Sequence, residues 1–141
     1  MIFPLSSGTK NGMLTTDTYK QFFSLSSNSS GISWYQIGYS CRSVLIRFSN
    51  DIFNTSYIPE GQNQPKGDDA CEKIKWTTRY YLKMCGEGDH YQKSIEKMIQ
   101  SNWDFVNNIG HRKDSTTEND SRLAIIYTYL TIFMLDGIIN K

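Results

Sequence analysis

The feature that most limits the fold of this chain is a pattern that occurs four times, a helix-capping pair followed by an apolar stripe. In each pair, a residue with a side-chain oxygen precedes by three positions a residue that can bond back to it, as in a capping box. Apolar residues then follow at intervals of three and four, the spacing of one helix face. The four pairs are Ser33–Gln36, Asp69–Glu72, Asp89–Gln92 and Thr117–Asp120. The sequence therefore predicts four long helices.

The stripes also predict which face of each helix enters a shared core. Gly86 and Gly88 are expected to stop the second helix, and Gly110 fits the position just past the end of the third. The first helix is expected to end near Phe53. The predicted core residues, helix by helix, are Trp34, Ile37, Cys41, Val44, Leu45, Phe48 and Ile52; Ala70, Ile74, Thr78, Tyr81, Leu82 and Cys85; Tyr91, Ile95, Met98, Ile99, Phe105, Val106 and Ile109; and Leu123, Ile126, Tyr127, Leu130, Phe133, Met134 and Ile138.

The rest of the chain completes an all-α prediction for residues 1–141. A shorter helix is expected at about Asp17 to Leu25, after an N-terminal arm at residues 1–16. Residues 54–68 contain two prolines and two glycines and are predicted to form a long surface loop. No run of residues alternates cleanly between polar and apolar, so strands are not expected. The sequence thus predicts one domain, a bundle of four long helices plus one short.

The sequence predicts a cytoplasmic protein that does not enter a membrane and has little net charge to attract a polyanion. The net charge is +1, so binding to a polyanion would need a local basic patch. The first eight residues lack the basic start and long apolar run of a signal peptide. The most apolar stretch, Leu123 to Ile139, is shorter than the ~20 apolar residues of a membrane span. We therefore interpret it as a core helix.

Motifs for known enzyme chemistry and for cofactors are absent from the sequence. There is no phosphate-binding loop, no dinucleotide fingerprint, no H-E-x-x-H and no G-x-S-x-G. Cys85, Glu87, Asp89 and His90 lie close together, but they span a helix break and lack the paired spacing of a zinc site. The three cysteines fall on predicted apolar faces, as buried free thiols in a reducing compartment do. We expect no metal and no cofactor.

A basic stripe on the second helix is a candidate nucleic-acid surface. Lys75, Arg79 and Lys83 are spaced by four and so share one helix face. Trp76 and Tyr80 lie beside them, and cations interleaved with aromatic rings can hold a phosphate backbone and stack on bases. A solvated outer face has the same pattern.

A polar segment between the last two helices is the other candidate site, and it reads Asn107-Asn108-Ile109-Gly110-His111-Arg112-Lys113-Asp114. Cations just past a helix end also complement the negative end of the helix dipole, which requires no function. Loops between rigid helices nevertheless carry function more often than other segments. The residues of this segment alone do not decide between a helix end that is merely stabilised and a functional site.

Two stretches resemble a known family. Trp103 to Leu135 has a polar helix end with a histidine, a short Ser/Thr and acidic loop, and an amphipathic last helix. Gly38 to Leu45 looks like the small-residue and Arg-Leu segment that starts a core helix. Together they resemble HEPN domains (higher eukaryote and prokaryote nucleotide-binding) over roughly Ser33 to Ile139. Such domains are helical bundles of toxin–antitoxin, abortive-infection and other defence proteins.

The resemblance implies a ribonuclease site, but this sequence lacks the arginine of that site. Active HEPN members cut RNA without metal, using a histidine and an arginine that precedes it with four to six residues in between, brought together from two subunits. Counting back from His111, those places hold Val106, Phe105 and Asp104. Arg112, Arg42 or Arg79 could supply the missing charge, the last two through the fold or a dimer.

By the resemblance, His111 is the general base or acid and Arg112 the phosphate stabiliser, while Asn107 and Asn108 position the substrate. The implied partners are a second copy of the chain, RNA, and an antitoxin or a larger defence complex. The implied function is a metal-independent ribonuclease or, with the arginine gone, a catalytically degenerate module for dimerisation or partner binding. The alternative from another class is a small helical adaptor or inhibitor that binds a protein through a groove between helices.

Overall fold

The structure, a computed structural model, describes residues 34–109, 111–112 and 115–140. Within them the chain forms four α-helices, α1 (Trp34–Ile52), α2 (Ala70–Met84), α3 (Asp89–Ile109) and α4 (Glu118–Ile139), with a 3-10 helix (Thr55–Tyr57) after α1. This part of the chain contains no strand, and the all-α class is confirmed. The predicted short helix at residues 17–25 and the predicted cap Ser33 lie outside the described residues.

The helix starts follow the local capping chemistry. The Thr117 hydroxyl accepts the backbone N–H of Asp120 at 3.1 Å, and the Asp120 carboxylate accepts the N–H of Thr117 at 3.1 Å, so α4 begins with a complete capping box. Asp69 caps α2 by accepting the N–H of Glu72 at 3.2 Å. Asp89 is the first residue of α3 rather than its cap, because the N–H of Gln92 already donates to Gly88 at 3.1 Å.

The core lies where α4 packs against each of the other three helices. The stripe predicted on α1 is confirmed almost in full, since six of its seven residues are buried there and Trp34 is partly buried against them. Burial of that apolar area is the main favourable contribution to folding. The cluster at the centre of the bundle consists of Ile37, Cys41, Val44, Leu45, Phe48, Ile52, Cys71, Ile74, Ile99, Val106, Ala124, Ile132, Leu135 and Ile139.

The face predicted to be buried on α4 is in large part wrong. Ile126, Leu130 and Phe133 are 47%, 42% and 45% exposed, and we call these three residues the α4 ridge. The helix is apolar on nearly every side, so periodicity alone does not select the inward face. The buried face consists of Ser121, Ala124, Thr128, Thr131, Ile132, Leu135, Ile138 and Ile139.

Hydroxyl groups on this buried face have partners inside the bundle. Thr128 donates to the carbonyl of Ala124 at 2.8 Å, and Thr131 donates to that of Tyr127 at 2.8 Å. Among the described helices, α4 alone is long and apolar enough to cross a membrane by length and composition, and 44% of its most apolar window is buried. Its packing is that of a core helix.

Three further burial predictions are corrected. Tyr91 and Met98 on α3 are 45% and 48% exposed. Tyr91 lies in the first turn, and Met98 lies one position beside Ile99, which takes the inward place. Cys85 is exposed because it is the residue that follows the last turn of α2, where helical spacing ends.

Candidate functional site

The predicted site residues Asn107, Asn108, His111 and Arg112 lie around a shallow depression at the C-terminal end of α3. The N–H groups of His111 and Arg112 donate to the carbonyls of Asn108 and Ile109 at 3.0 and 3.2 Å, so the chain stays turned beyond the helix. Both side chains are exposed. The depression has a volume of about 470 Å³ and is lined by Asp104, Asn107, Asn108, His111 and Arg112. We call it the His111 site.

Arg112 is held in place by two neighbours. Its Nε donates to Asn108 Oδ1 at 2.9 Å, and its Nη1 lies 3.5 Å from Asp120 Oδ2. The backbone N–H of Thr117 donates to that carboxyl and holds the pKa of Asp120 below its usual value. Asp120 is therefore a carboxylate near neutral pH, and it offsets part of the charge of Arg112.

A second guanidinium reaches the same helix from α1. Arg42 Nε donates to Asn107 Oδ1 at 2.8 Å, and the guanidinium carbon lies 5.9 Å from the centre of the Trp103 ring. A cation on an aromatic face gains further attraction. Arg42, on α1, is therefore tied to α3 at Asn107, one of the residues that line the His111 site.

The basic stripe on α2 is mostly engaged by α3. Lys75 Nζ donates to Gln100, and Arg79 forms an ion pair with Glu96 in which Nε lies 3.0 Å from Oε1. Burial acts to raise the pKa of Glu96, but hydrogen bonds from Arg79 and Gln92 outweigh it and hold that pKa below its usual value. Of the three stripe residues, only Lys83 is exposed. Two of the three cations are therefore not free to bind the phosphates of a nucleic acid, although their spacing would allow it.

A cleft lies beside Lys83, and of its lining only the α2 residues Trp76, Arg79, Tyr80 and Lys83 belong to the surface predicted from the sequence. Its floor includes Tyr57, from the segment predicted to be a loop, whose ring stacks on Tyr80 with 4.2 Å between centroids. Burial, and then the hydroxyl of Tyr81 at 3.2 Å, raise the pKa of Tyr57. The aromatic cleft has a volume of about 670 Å³ and is lined by Tyr57, Pro59, Trp76, Arg79, Tyr80, Lys83, Met84, Glu87, Asp89 and Gln92.

The cysteines of this part of the chain are free, and two of the three are buried. Residues 34–109, 111–112 and 115–140 contain no group of three His, Cys, Asp or Glu side chains placed to hold a metal ion. Cys41 and Cys71 are buried, and burial raises the pKa of each thiol to about 12. A thiol with such a pKa is inert as a nucleophile near neutral pH.

Comparison with known proteins gives this chain no relative, since no family model, no curated protein and no solved structure matches it.

Proposed function

We propose that this chain is a HEPN-like helical module of a prokaryotic defence or toxin–antitoxin type system, and that it acts on RNA at the His111 site. The proposal includes a fifth, short helix near the N-terminus, a cytoplasmic location, and a second copy of the chain as partner. Its support is the order of helices around the polar end of α3, together with the side chains gathered there.

The contact between Arg42 and Asn107 is the single observation that carries this proposal. A ribonuclease site needs positive charge near the phosphate, because negative charge accumulates on the phosphoryl oxygens in the transition state. Arg42 donates to Asn107 at 2.8 Å, and Asn107 itself lines the His111 site. Arg112 lines the site and Arg42 is bonded to one of its lining residues, so two guanidinium groups are available although none of the three places upstream of His111 holds an arginine.

The proposed chemistry is transesterification of RNA. A base removes the proton of the 2′-hydroxyl, the 2′-oxygen forms a bond to phosphorus, and the 5′-oxygen leaves with a proton from an acid. His111 serves as the base or the acid, and Arg112 and Arg42 stabilise the phosphoryl oxygens. Asn107 and Asn108 hold the two guanidinium groups in position. A second copy of the chain supplies the other proton-transfer group.

Replacing His111 with alanine is expected to abolish RNA cleavage that persists in the presence of a chelator. Loss of one proton-transfer group costs about 10²- to 10⁴-fold in rate. His90→Ala is the matched control, since His90 is the chain's other histidine, is exposed, and lies at the opposite end of α3. The measurement is the rate of product formation from a labelled single-stranded RNA, with folding checked by circular dichroism.

The outcomes separate three functions. Cleavage lost only in His111→Ala supports the ribonuclease. RNA binding without cleavage, weakened by Arg42→Gln and Arg112→Gln, identifies a catalytically degenerate RNA-binding module. If wild type and the His111 variant neither bind nor cleave RNA, the proposal is wrong and the adaptor becomes the leading candidate.

The α4 ridge supports the proposed dimer. Its three side chains are each more than two-fifths exposed, and no charged residue stands between them in the sequence. Exposed contiguous apolar surface marks interaction sites in soluble proteins. We expect Leu130→Asp to convert a dimer into a monomer, as measured by light scattering across a range of concentrations.

The control for this change is Met98→Asp, which alters an equally exposed apolar side chain on α3. A wild-type chain that is monomeric at all concentrations would contradict the dimer. That result would favour the second candidate, an adaptor whose α4 ridge binds a different protein.

A further inference from the structure

The aromatic cleft lies along an exposed apolar stripe of α2. Trp76, Tyr80 and Met84 are spaced by four and share one helix face, with Tyr80 38% and Met84 68% exposed. Tyr57 stacks on Tyr80 with 4.2 Å between ring centroids, and Pro59 also lines the cleft. From its first residue to its last, the stripe extends about 12 Å along the helix axis. The cleft therefore offers an elongated apolar surface edged by aromatic rings.

The charged residues of the cleft leave it slightly negative. Arg79 forms an ion pair with Glu96, which offsets its charge. Of the other charged lining residues, Lys83 is positive, whereas Glu87 and Asp89 are negative. Glu87 is engaged within the chain, so the exposed carboxylate of Asp89, at the start of α3, is the group best placed to meet a ligand. A ligand that carries a positive charge at this end of the stripe is favoured.

A polyproline II segment matches this surface in shape and in hydrogen bonding. Such a segment has no internal hydrogen bonds, and proline has no N–H, so its carbonyl groups need donors from a partner. Three lining residues carry donors, namely the indole N–H of Trp76, the hydroxyl of Tyr80 and the ammonium group of Lys83. Arg79 lies over the Trp76 ring, 4.5 Å from its centre, and extends the flat surface. At 3.1 Å per residue, about four residues of polyproline II cover the length of the stripe.

We propose that the aromatic cleft binds a proline-rich segment of a protein partner, with the prolines on Trp76, Tyr80 and Met84 and a flanking arginine on Asp89. Aromatic-lined grooves bind such segments because the polyproline II conformation is already formed and loses little entropy on binding. The planar guanidinium group of the arginine can form two hydrogen bonds with one carboxylate. A nucleic acid is disfavoured at this end of the cleft, since its phosphates would face two carboxylates.

This site goes beyond the proposed function and is independent of it. Asp89, in the cleft, and Asn107, in the His111 site, are five turns apart on α3, or roughly 27 Å. A failure of RNA cleavage would therefore say nothing about the cleft, and a failure of peptide binding would say nothing about the His111 site.

The test is a titration of the full chain with three synthetic peptides, followed by calorimetry. The first peptide has six prolines followed by one arginine, and the second has glutamate in place of the arginine. The third keeps the arginine but replaces the prolines with alternating glycine and serine. The first is expected to saturate with a Kd below about 1 mM, and each of the other two is expected to bind at least about tenfold more weakly.

Variants of the lining assign the binding to the cleft. Met84→Ala is expected to weaken binding of the first peptide about tenfold. Its matched control, Met98→Ala, shortens an exposed methionine on α3 outside the cleft and is expected to leave binding unchanged. Asp89→Asn is expected to remove most of the preference for the first peptide over the second, whereas Asp51→Asn, on the exposed face of α1, keeps it. Circular dichroism verifies that each variant is folded.

Four results would overturn the proposal. Equal affinity for the glycine–serine peptide would mean that the cleft recognises only a cation, and equal affinity for the glutamate peptide would remove the role of Asp89. Binding that Met84→Ala and Asp89→Asn both leave unaltered would place the peptide elsewhere on the protein. A lack of saturation at about 10 mM of the first peptide, or a dimer that Met84→Ala dissociates, would mean that no proline-rich segment, or a second copy of the chain, occupies the cleft.

Discussion

Replacing Leu135 with alanine is expected to lower the free energy of unfolding by about 2–5 kcal/mol, the range for a large aliphatic side chain removed from a core. Leu135 is 0% exposed and lies in the central cluster, on the face of α4 that packs against the other helices. The loss combines the transfer of the side chain from water with the cavity that it leaves behind. Urea denaturation followed by circular dichroism measures it, provided that the slope of the transition is unchanged.

Leu130→Ala is the matched control, since it makes the same chemical change on the same helix. Leu130 is 42% exposed, so its replacement is expected to cost less than about 0.5 kcal/mol when the chain is monomeric. If the α4 ridge joins two copies, its cost rises with protein concentration, whereas the cost of Leu135→Ala does not. A larger cost for Leu130→Ala than for Leu135→Ala at high dilution would mean that the stripe containing Leu130 is the buried one.

The positions of the helices follow from the sequence because their starts depend on neighbouring residues. The hydrogen bonds of Thr117 with Asp120 and of Asp69 with Glu72 span three residues, and the sequence shows both partners. The burial of α1 was also predictable, since its apolar residues occupy one face and its other face is polar. In such a helix only one orientation removes the apolar surface from water.

The buried face of α4 could not be predicted for the opposite reason. With apolar residues nearly all round the helix, the orientation depends on what fits against the other helices. The inward face takes small and hydroxyl-bearing residues such as Ala124 and Thr128, and it leaves Leu130 and Phe133 outside. Packing volume selects this face, and spacing in the sequence does not report packing volume.

Only the part of the candidate site whose residues are close together in the sequence was predicted. Asn107, Asn108, His111 and Arg112 are near one another in sequence, and the structure places these four around one depression. Arg42 and the aromatic cleft depend on contacts between distant segments, namely α1 with α3, and residues 57–59 with α2. A single sequence contains no record of such pairs, so Arg42 stood among several candidate cations until the fold assigned it to Asn107.

Replacing Gly38 with alanine is expected to destabilise the fold by about 1–3 kcal/mol, although alanine is ordinarily the better helix residue by about 0.5–1 kcal/mol. A Cβ on Gly38 would lie 2.3 Å from Cγ2 of Ile109 and 3.3 Å from its Cβ. Since Ile109 is 1% exposed, its side chain has little room to move away. Gly137→Ala on α4 is the matched control, and it is expected to stabilise because nothing lies within 4 Å of the added Cβ.

The reason this glycine matters is its place beside the His111 site. Gly38 lies one turn before Arg42 on α1, and Ile109 lies two residues after Asn107 on α3. The close approach of α1 and α3 at Gly38 therefore lies next to the hydrogen bond between Arg42 and Asn107. Combining Gly38→Ala with Ile109→Leu, which removes Cγ2, is expected to recover part of the lost stability in a double-mutant cycle. If the two changes are additive instead, the glycine does not act through Ile109.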